Sequence, residues 1–163
     1  MEKPELTLAL YPNYFGMGYL ICENPKELLN YGIARISPFT KDRYIKRMHK
    51  LLKQYRPNLV ILRGYKDTDR RISNRVKSVI ESFKKEADDL DIQVYQYSRD
   101  EIKDVFSQFG GKSKFAITRT IGKWYPELVP RLPKFKRNSD LEDYNMGLFD
   151  VFALMLCHYY LQD

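Results

Sequence analysis

A carboxylate standing alone in an apolar helix is the first residue of this sequence that could do chemistry. Asp150 lies between Leu148, Phe149, Val151 and Phe152, and no other acid or base follows it before Asp163 apart from His158. Unpaired in such surroundings it would cost several kcal/mol. It must therefore find a cationic partner, stay protonated, or sit at the rim of the core and reach solvent. Three further acids could join it. Asp143 is seven residues earlier, two turns away on the same helical face. Glu142 reads more simply as the capping-box acid of Ser139-Asp140-Leu141-Glu142. Glu23 closes the apolar run that starts at Tyr19. Each has a plain structural reading as well: surface charge, helix cap, strand end.

The sequence has two histidines and two cysteines. His49 falls on the basic face of a helix and is expected in solvent. His158 sits near the end of the last helix, where it suits the dipole better than it suits a metal. Cys157 and His158 are adjacent, but nothing else is spaced to complete a zinc site. Cys22 and Cys157 read as buried thiols, as expected in a reducing cytoplasm. No P-loop, dinucleotide fingerprint or nucleophile elbow is present. Gly16-Met17-Gly18 reads as turn geometry between strands, not as a phosphate cradle.

Charge supplies the second chemical signal. The net charge is +7, but its distribution says more than the total. Residues 112–137 carry eight basic groups (Lys112, Lys114, Arg119, Lys123, Arg131, Lys134, Lys136 and Arg137) against Glu127 alone. Residues 138–163 carry five acids and no Lys or Arg. Interleaved with the basic groups are Phe115, Trp124, Tyr125 and Phe135. Basic and aromatic residues together suit nucleic acid, where a solvated surface is the plain alternative. Thirteen tyrosines add candidate stacking groups, with Tyr14, Tyr65, Tyr97, Tyr125 and Tyr144 exposed by pattern.

The elements that must position these groups follow from periodicity. With 163 residues, 44% hydrophobic and 14% aromatic, the chain is long and apolar enough for one packed domain, 1–163. No apolar run reaches the ~20 residues of a membrane span, and Met1-Glu2-Lys3-Pro4-Glu5 lacks a signal-peptide layout. Leu6 to Tyr11 alternates as a strand, with Pro12-Asn13 expected to break it. Strands are expected over Tyr19–Glu23 and Tyr31–Ile36, which makes an antiparallel meander. Helical spacing runs from 41 to 56. The continuous run Leu59-Val60-Ile61-Leu62 suits a parallel strand covered on both faces. A helix through Ile72 to Leu90 and a strand Ile92–Tyr97 come next. Ser98 and Glu101 form a capping box, and Gly110-Gly111 closes the helix that it opens. A helix near 113–123 leads into a loop punctuated by Pro126, Pro130 and Pro133, and a last helix is expected from Ser139 to about Leu161. The fold class is α/β: three antiparallel strands, then two parallel ones, in a mixed five-stranded sheet flanked by helices, with a basic arm at about 112–137.

That order of elements matches the ribonuclease H-like fold, and several stretches resemble RuvC-type Holliday-junction resolvases. Leu8-Ala9-Leu10-Tyr11-Pro12-Asn13, continuing to Gly18-Tyr19, resembles the family's first strand and turn. Leu59-Val60-Ile61-Leu62-Arg63 is similar to its fourth strand. Ser98-Arg99-Asp100-Glu101-Ile102-Lys103, with Gly110-Gly111-Lys112 and Lys114, resembles its basic helix-turn region. Phe149-Asp150-Val151-Phe152-Ala153-Leu154 through Cys157-His158 resembles its closing helix. The resemblance implies phosphodiester cleavage by two divalent metals, which need several clustered carboxylates to offset their mutual repulsion.

Of the four acids so implied, one remains. Tyr11 stands where the first strand should end in Asp, Arg63 where the fourth should end in Glu, and Gly147 three residues before Asp150. The expectation is a catalytically degenerate, nucleic-acid-binding relative that uses the 112–137 segment and the basic helix at 43–56, with no metal or other cofactor. Arg63 is expected to pair with Asp150 in place of a metal, with Tyr11 beside them. One alternative is an active structure-selective endonuclease with displaced ligands Asp150, Asp143 and Glu23 and Mg²⁺ or Mn²⁺. Another is a structural subunit that binds a protein partner. A homodimer is implied by the resemblance alone.

Overall fold

The computed structural model describes residues 4–133 and 145–162. The strands β1 (Thr7–Asn13), β2 (Gly16–Asn24), β3 (Glu27–Arg35), β4 (Leu59–Arg63) and β5 (Gln93–Tyr97) form one sheet in the order β3-β2-β1-β4-β5. β1 pairs antiparallel with β2 and parallel with β4, and β5 runs parallel to β4. The α/β class and the mixed five-stranded sheet expected from periodicity are both present.

Period-two alternation splits β1 between two cores. Leu8 and Leu10 face one layer with Val60, Leu62 and Phe83, and Ala9 and Tyr11 face the other with Ile61 and Phe152. The first layer is closed by α1 (Lys41–Tyr55) and α2 (Asn74–Asp89). Tyr44, Met48 and Leu52, spaced four apart on α1, are its buried stripe. Thr40 caps this helix, and Arg56 ends it in the left-handed region at φ 47°. The second layer holds α3 (Arg99–Phe106), α4 (Lys114–Trp124) and α5 (Met146–Gln162). α5 is apolar all round because it is buried all round: its eleven buried positions include Phe149, Phe152 and Cys157.

Several details differ from the sequence reading. β1 runs through Pro12, which pairs with Met17. β4 pairs with β1 only as far as Leu10, so beyond that residue β1 lacks a neighbour on one side and tolerates a residue with no N–H. Gly16-Met17-Gly18 is therefore strand, and the turn is Tyr14-Phe15. β3 starts four residues earlier than expected, at Glu27. The segment read as a proline-punctuated loop contains a 3-10 helix, Pro126–Arg131. Tyr97 and Tyr125 are buried, not exposed. The capping box at Ser139, and with it Lys134, Lys136, Arg137, Asp143 and Tyr144, lies outside the described residues.

Candidate functional site

The same alternation that builds the core also places the candidate site. Tyr11 shares its face of β1 with Thr7 and Ala9, and Arg63 shares its face of β4 with Ile61. Both therefore point toward α5 from the carboxyl ends of adjacent parallel strands, where open α/β sheets offer a crevice. Gly18, beside Tyr11 on β2, brings the start of α5 close: a Cβ there would collide with the Gly147 carbonyl. Backbone against backbone, α5 delivers Asp150 to the same spot one turn later.

Asp150 is 6% exposed, and its Oδ1 accepts from Nη1 of Arg99 at 3.3 Å. The expected pairing with Arg63 is thus corrected: among the described residues, Arg99 forms the ion pair with Asp150. Arg63 instead donates from Nη1 to the Pro12 carbonyl at 2.7 Å, and its guanidinium lies 4.6 Å from the centre of the Tyr11 ring. The reason is local. Pro12 lies beyond the last β1–β4 pair, so its carbonyl has no strand partner on that side and a long donor from the end of β4 reaches it. Tyr11 is buried and held protonated above its ordinary range, first by burial and then by the Asp150 charge, with Arg63 and Arg99 opposing.

The crevice has a volume of about 420 Å³. Four cations line it, Arg63, Arg71, Arg99 and Lys114, against two carboxylates, Asp69 and Asp150. Arg71 reaches Asp69 through both its backbone N–H and its Nε. Arg99 and Arg71 were not singled out from the sequence. A signal for Arg99 was present: it is the first residue of α3, behind the Ser98 cap, where a helix dipole favours acids. A cation at that position needs an outside partner, and Asp150 is one.

The remaining candidates scatter. Lys112, Lys114, Arg119 and Lys123 are exposed on or next to α4, and Arg131 donates to the Asn145 side chain at 3.1 Å. This part of the expected arm is an ordered helix packed on α5. Glu23 lies at the opposite end of the sheet, where its carbonyl accepts from Tyr159, about 14 Å along α5 from Asp150. It cannot join Asp150 on one metal. No cluster of three or more His, Cys, Asp or Glu suited to a metal occurs among the described residues. His158 is buried, with Nδ1 2.8 Å from the Tyr97 hydroxyl, and burial lowers its pKa. Burial likewise pushes the Cys22 thiol up to about 11 and Cys157 up to about 12, so neither is poised as a nucleophile. His49 is exposed as expected, 2.6 Å from Glu86.

No protein-family model matches the sequence, and no curated protein does. Solved structures match along nearly the whole chain. RuvC of Thermus thermophilus in complex with a Holliday junction substrate aligns at 16% identity over 97% of this chain and 94% of its own, with a TM-score of 0.63. A second Thermus thermophilus RuvC structure gives 16% identity, 96% and 95% coverage and a TM-score of 0.64. The yeast mitochondrial Holliday junction resolvase gives 13%, 99%, 82% and 0.62. The fold is that of the RuvC-type resolvases. Among the described residues this crevice offers two carboxylates, Asp69 and Asp150, each engaged by an arginine, which do not fit a two-metal centre. A phenol held protonated and a guanidinium occupy two of the implied acid positions, a glycine occupies the third, and the fourth, Asp150, is bound to Arg99. Among the described residues no helix is long and apolar enough to cross a membrane.

Proposed function

We propose that this chain is a resolvase-like, nucleic-acid-binding protein that engages branched or structured nucleic acid without two-metal cleavage. The observation that carries the reading is the Arg99–Asp150 pair: a guanidinium stands where the fold's relatives are expected to hold a cation, and it is surrounded by Arg63, Arg71 and Lys114. Arginine suits phosphate because its planar fork donates two parallel hydrogen bonds and stays charged at any working pH. Lys114 also opens the basic helix α4, whose exposed Arg119 and Lys123, one turn apart, offer a second basic face beside the crevice. The solved relative bound to a Holliday junction supports the choice of branched DNA as the first probe.

The mechanism is one of binding. Phosphates settle on the guanidinium groups, releasing counterions and giving an affinity that falls steeply with salt. Tyr11, kept neutral, can donate to a phosphate oxygen without adding negative charge. Dimerisation belongs to the same reading and would set two crevices against one junction.

Fluorescence anisotropy of a labelled four-way junction and a matched duplex across a salt series tests the proposal. Binding that weakens linearly in log salt, and weakens further in Arg99→Ala, is the expected result. A flat response at low salt removes it. Incubating the junction with Mg²⁺ or Mn²⁺, wild type against Asp150→Asn, tests the endonuclease alternative. Metal-dependent cleavage lost in the variant would replace the binding reading with that one.

A further inference from the structure

Beside the crevice stands the tip of the β1–β2 hairpin, Tyr14-Phe15, and both residues line the cavity. Phe15 is 62% exposed, an unusual position for a phenylalanine next to four cations. Its backbone is nevertheless firmly held. The Phe15 N–H donates to the Asn13 side chain at 2.8 Å, and its carbonyl accepts from Ile36 at 3.0 Å. Gly16 follows at φ 152°, where a Cβ would collide with the Ala34 carbonyl. Tyr14 is backed by a stacked Phe39 at 5.3 Å and meets Phe15 edge-on. Tyr44 of α1 donates to the Asn13 carbonyl at 2.5 Å, tying the tip to the body of the domain. An apolar ring presented to solvent on so rigid a mount is prepared for a flat partner.

We propose that the crevice holds a single unpaired nucleotide, its phosphate on Arg63, Arg71 and Arg99 and its base stacked on Phe15. The inference rests on the nucleic-acid reading above and narrows it to one structural feature of the ligand. Two observations support it independently. The cavity, at about 420 Å³, falls within the roughly 300–1,000 Å³ of small-ligand sites and is too small to admit a duplex. Its walls combine cations with aromatic rings, which match the two halves of a nucleotide. Every base offers a π-face, so stacking on one exposed ring selects for unpaired bases without reading their identity.

The test uses the full chain and two short duplexes, one carrying a single unpaired 2-aminopurine and the other the same base fully paired. The wild-type protein binds the unpaired probe about fivefold or more tighter, with a change in 2-aminopurine emission on binding. Phe15→Ala removes most of that ratio and the emission change, and Phe15→Tyr retains both. Because the side chain is exposed, truncation leaves the core intact. Equal affinity for the two probes, or an undiminished ratio in Phe15→Ala, overturns the inference while leaving nucleic-acid binding in place. Absence of binding to either probe at low salt overturns both together.

Discussion

Helix α5 buries polar side chains at each of its ends and treats them in opposite ways. Near its start, Asp150 meets Arg99 and faces a solvent-open crevice. Near its finish, His158 is bonded to Tyr97 and Tyr159 to Thr7, with Cys22 alongside, and none of these groups carries a formal charge. Among the described residues no buried side-chain nitrogen or oxygen lacks a hydrogen-bond partner. Both ends are therefore satisfied, yet only one retains charge. A buried ion pair costs desolvation that apolar packing would avoid, whereas a neutral pair such as Tyr97–His158 contributes about 1 kcal/mol with no such cost. Charge kept at the open end and removed at the closed end is the pattern that the proposed binding of a charged ligand in the crevice requires.

That contrast can be broken in order of size. Asp150→Ala leaves the Arg99 guanidinium, 14% exposed, without this carboxylate, and should lower stability by roughly 2–4 kcal/mol in urea titrations. The double variant Asp150→Leu/Arg99→Met should recover most of that loss, and a double variant no better than the single one would refute the assignment of the pair. Asp150→Ala should also tighten junction binding at low salt, because the crevice becomes more positive.

At the closed end, His158→Ala should cost about 1–3 kcal/mol, from the lost bond to the Tyr97 hydroxyl and the cavity left behind, with no change in the salt dependence of binding. The same residue predicts a pH effect. Burial lowers the folded His158 pKa below its ordinary value of 6.5. The unfolded chain therefore binds more protons just below that pH, and this stability contribution, complete above about 6.5, declines as pH falls toward the folded value. Urea midpoints measured from pH 7 down to 5 should decline, and His158→Gln should flatten the slope; an unchanged slope in that variant would exclude His158 as its source.

The smallest stability effects belong to α4 and its approach. Lys112→Ala and Lys123→Ala should each stay within about 0.5 kcal/mol of wild type. If these residues touch phosphates, each should reduce the slope of log affinity against log salt by about one. Slopes identical to wild type in both would confine binding to the crevice.

Much of the fold was legible because its signals are local. The apolar run Leu59–Leu62 announced a strand covered on both faces, Ser98 and Glu101 announced a helix start, and both are found as read. The hairpin was misread at Pro12, where proline ends most central strands. What permits it here is that β4 stops pairing at Leu10, a fact of tertiary register. Tyr97 and Tyr125 looked exposed because alternation ranks positions along one element and cannot see α5 lying over them.

The candidate site divides along the same line. Residue type and charge pattern supplied the basic residues of α4 and a lone carboxylate in need of a partner, whereas Tyr11 and Arg63 as site positions, and the missing acids, were implied only by the family resemblance. Period two then assigns a face to each strand residue. Which cation answers Asp150 was decided only in three dimensions. Arg63 ends β4 and Arg99 opens α3 two residues after the parallel strand β5, and one-dimensional spacing does not choose between them. The difference lies in the free carbonyl of Pro12, which engages Arg63 and leaves Arg99 to meet the helix.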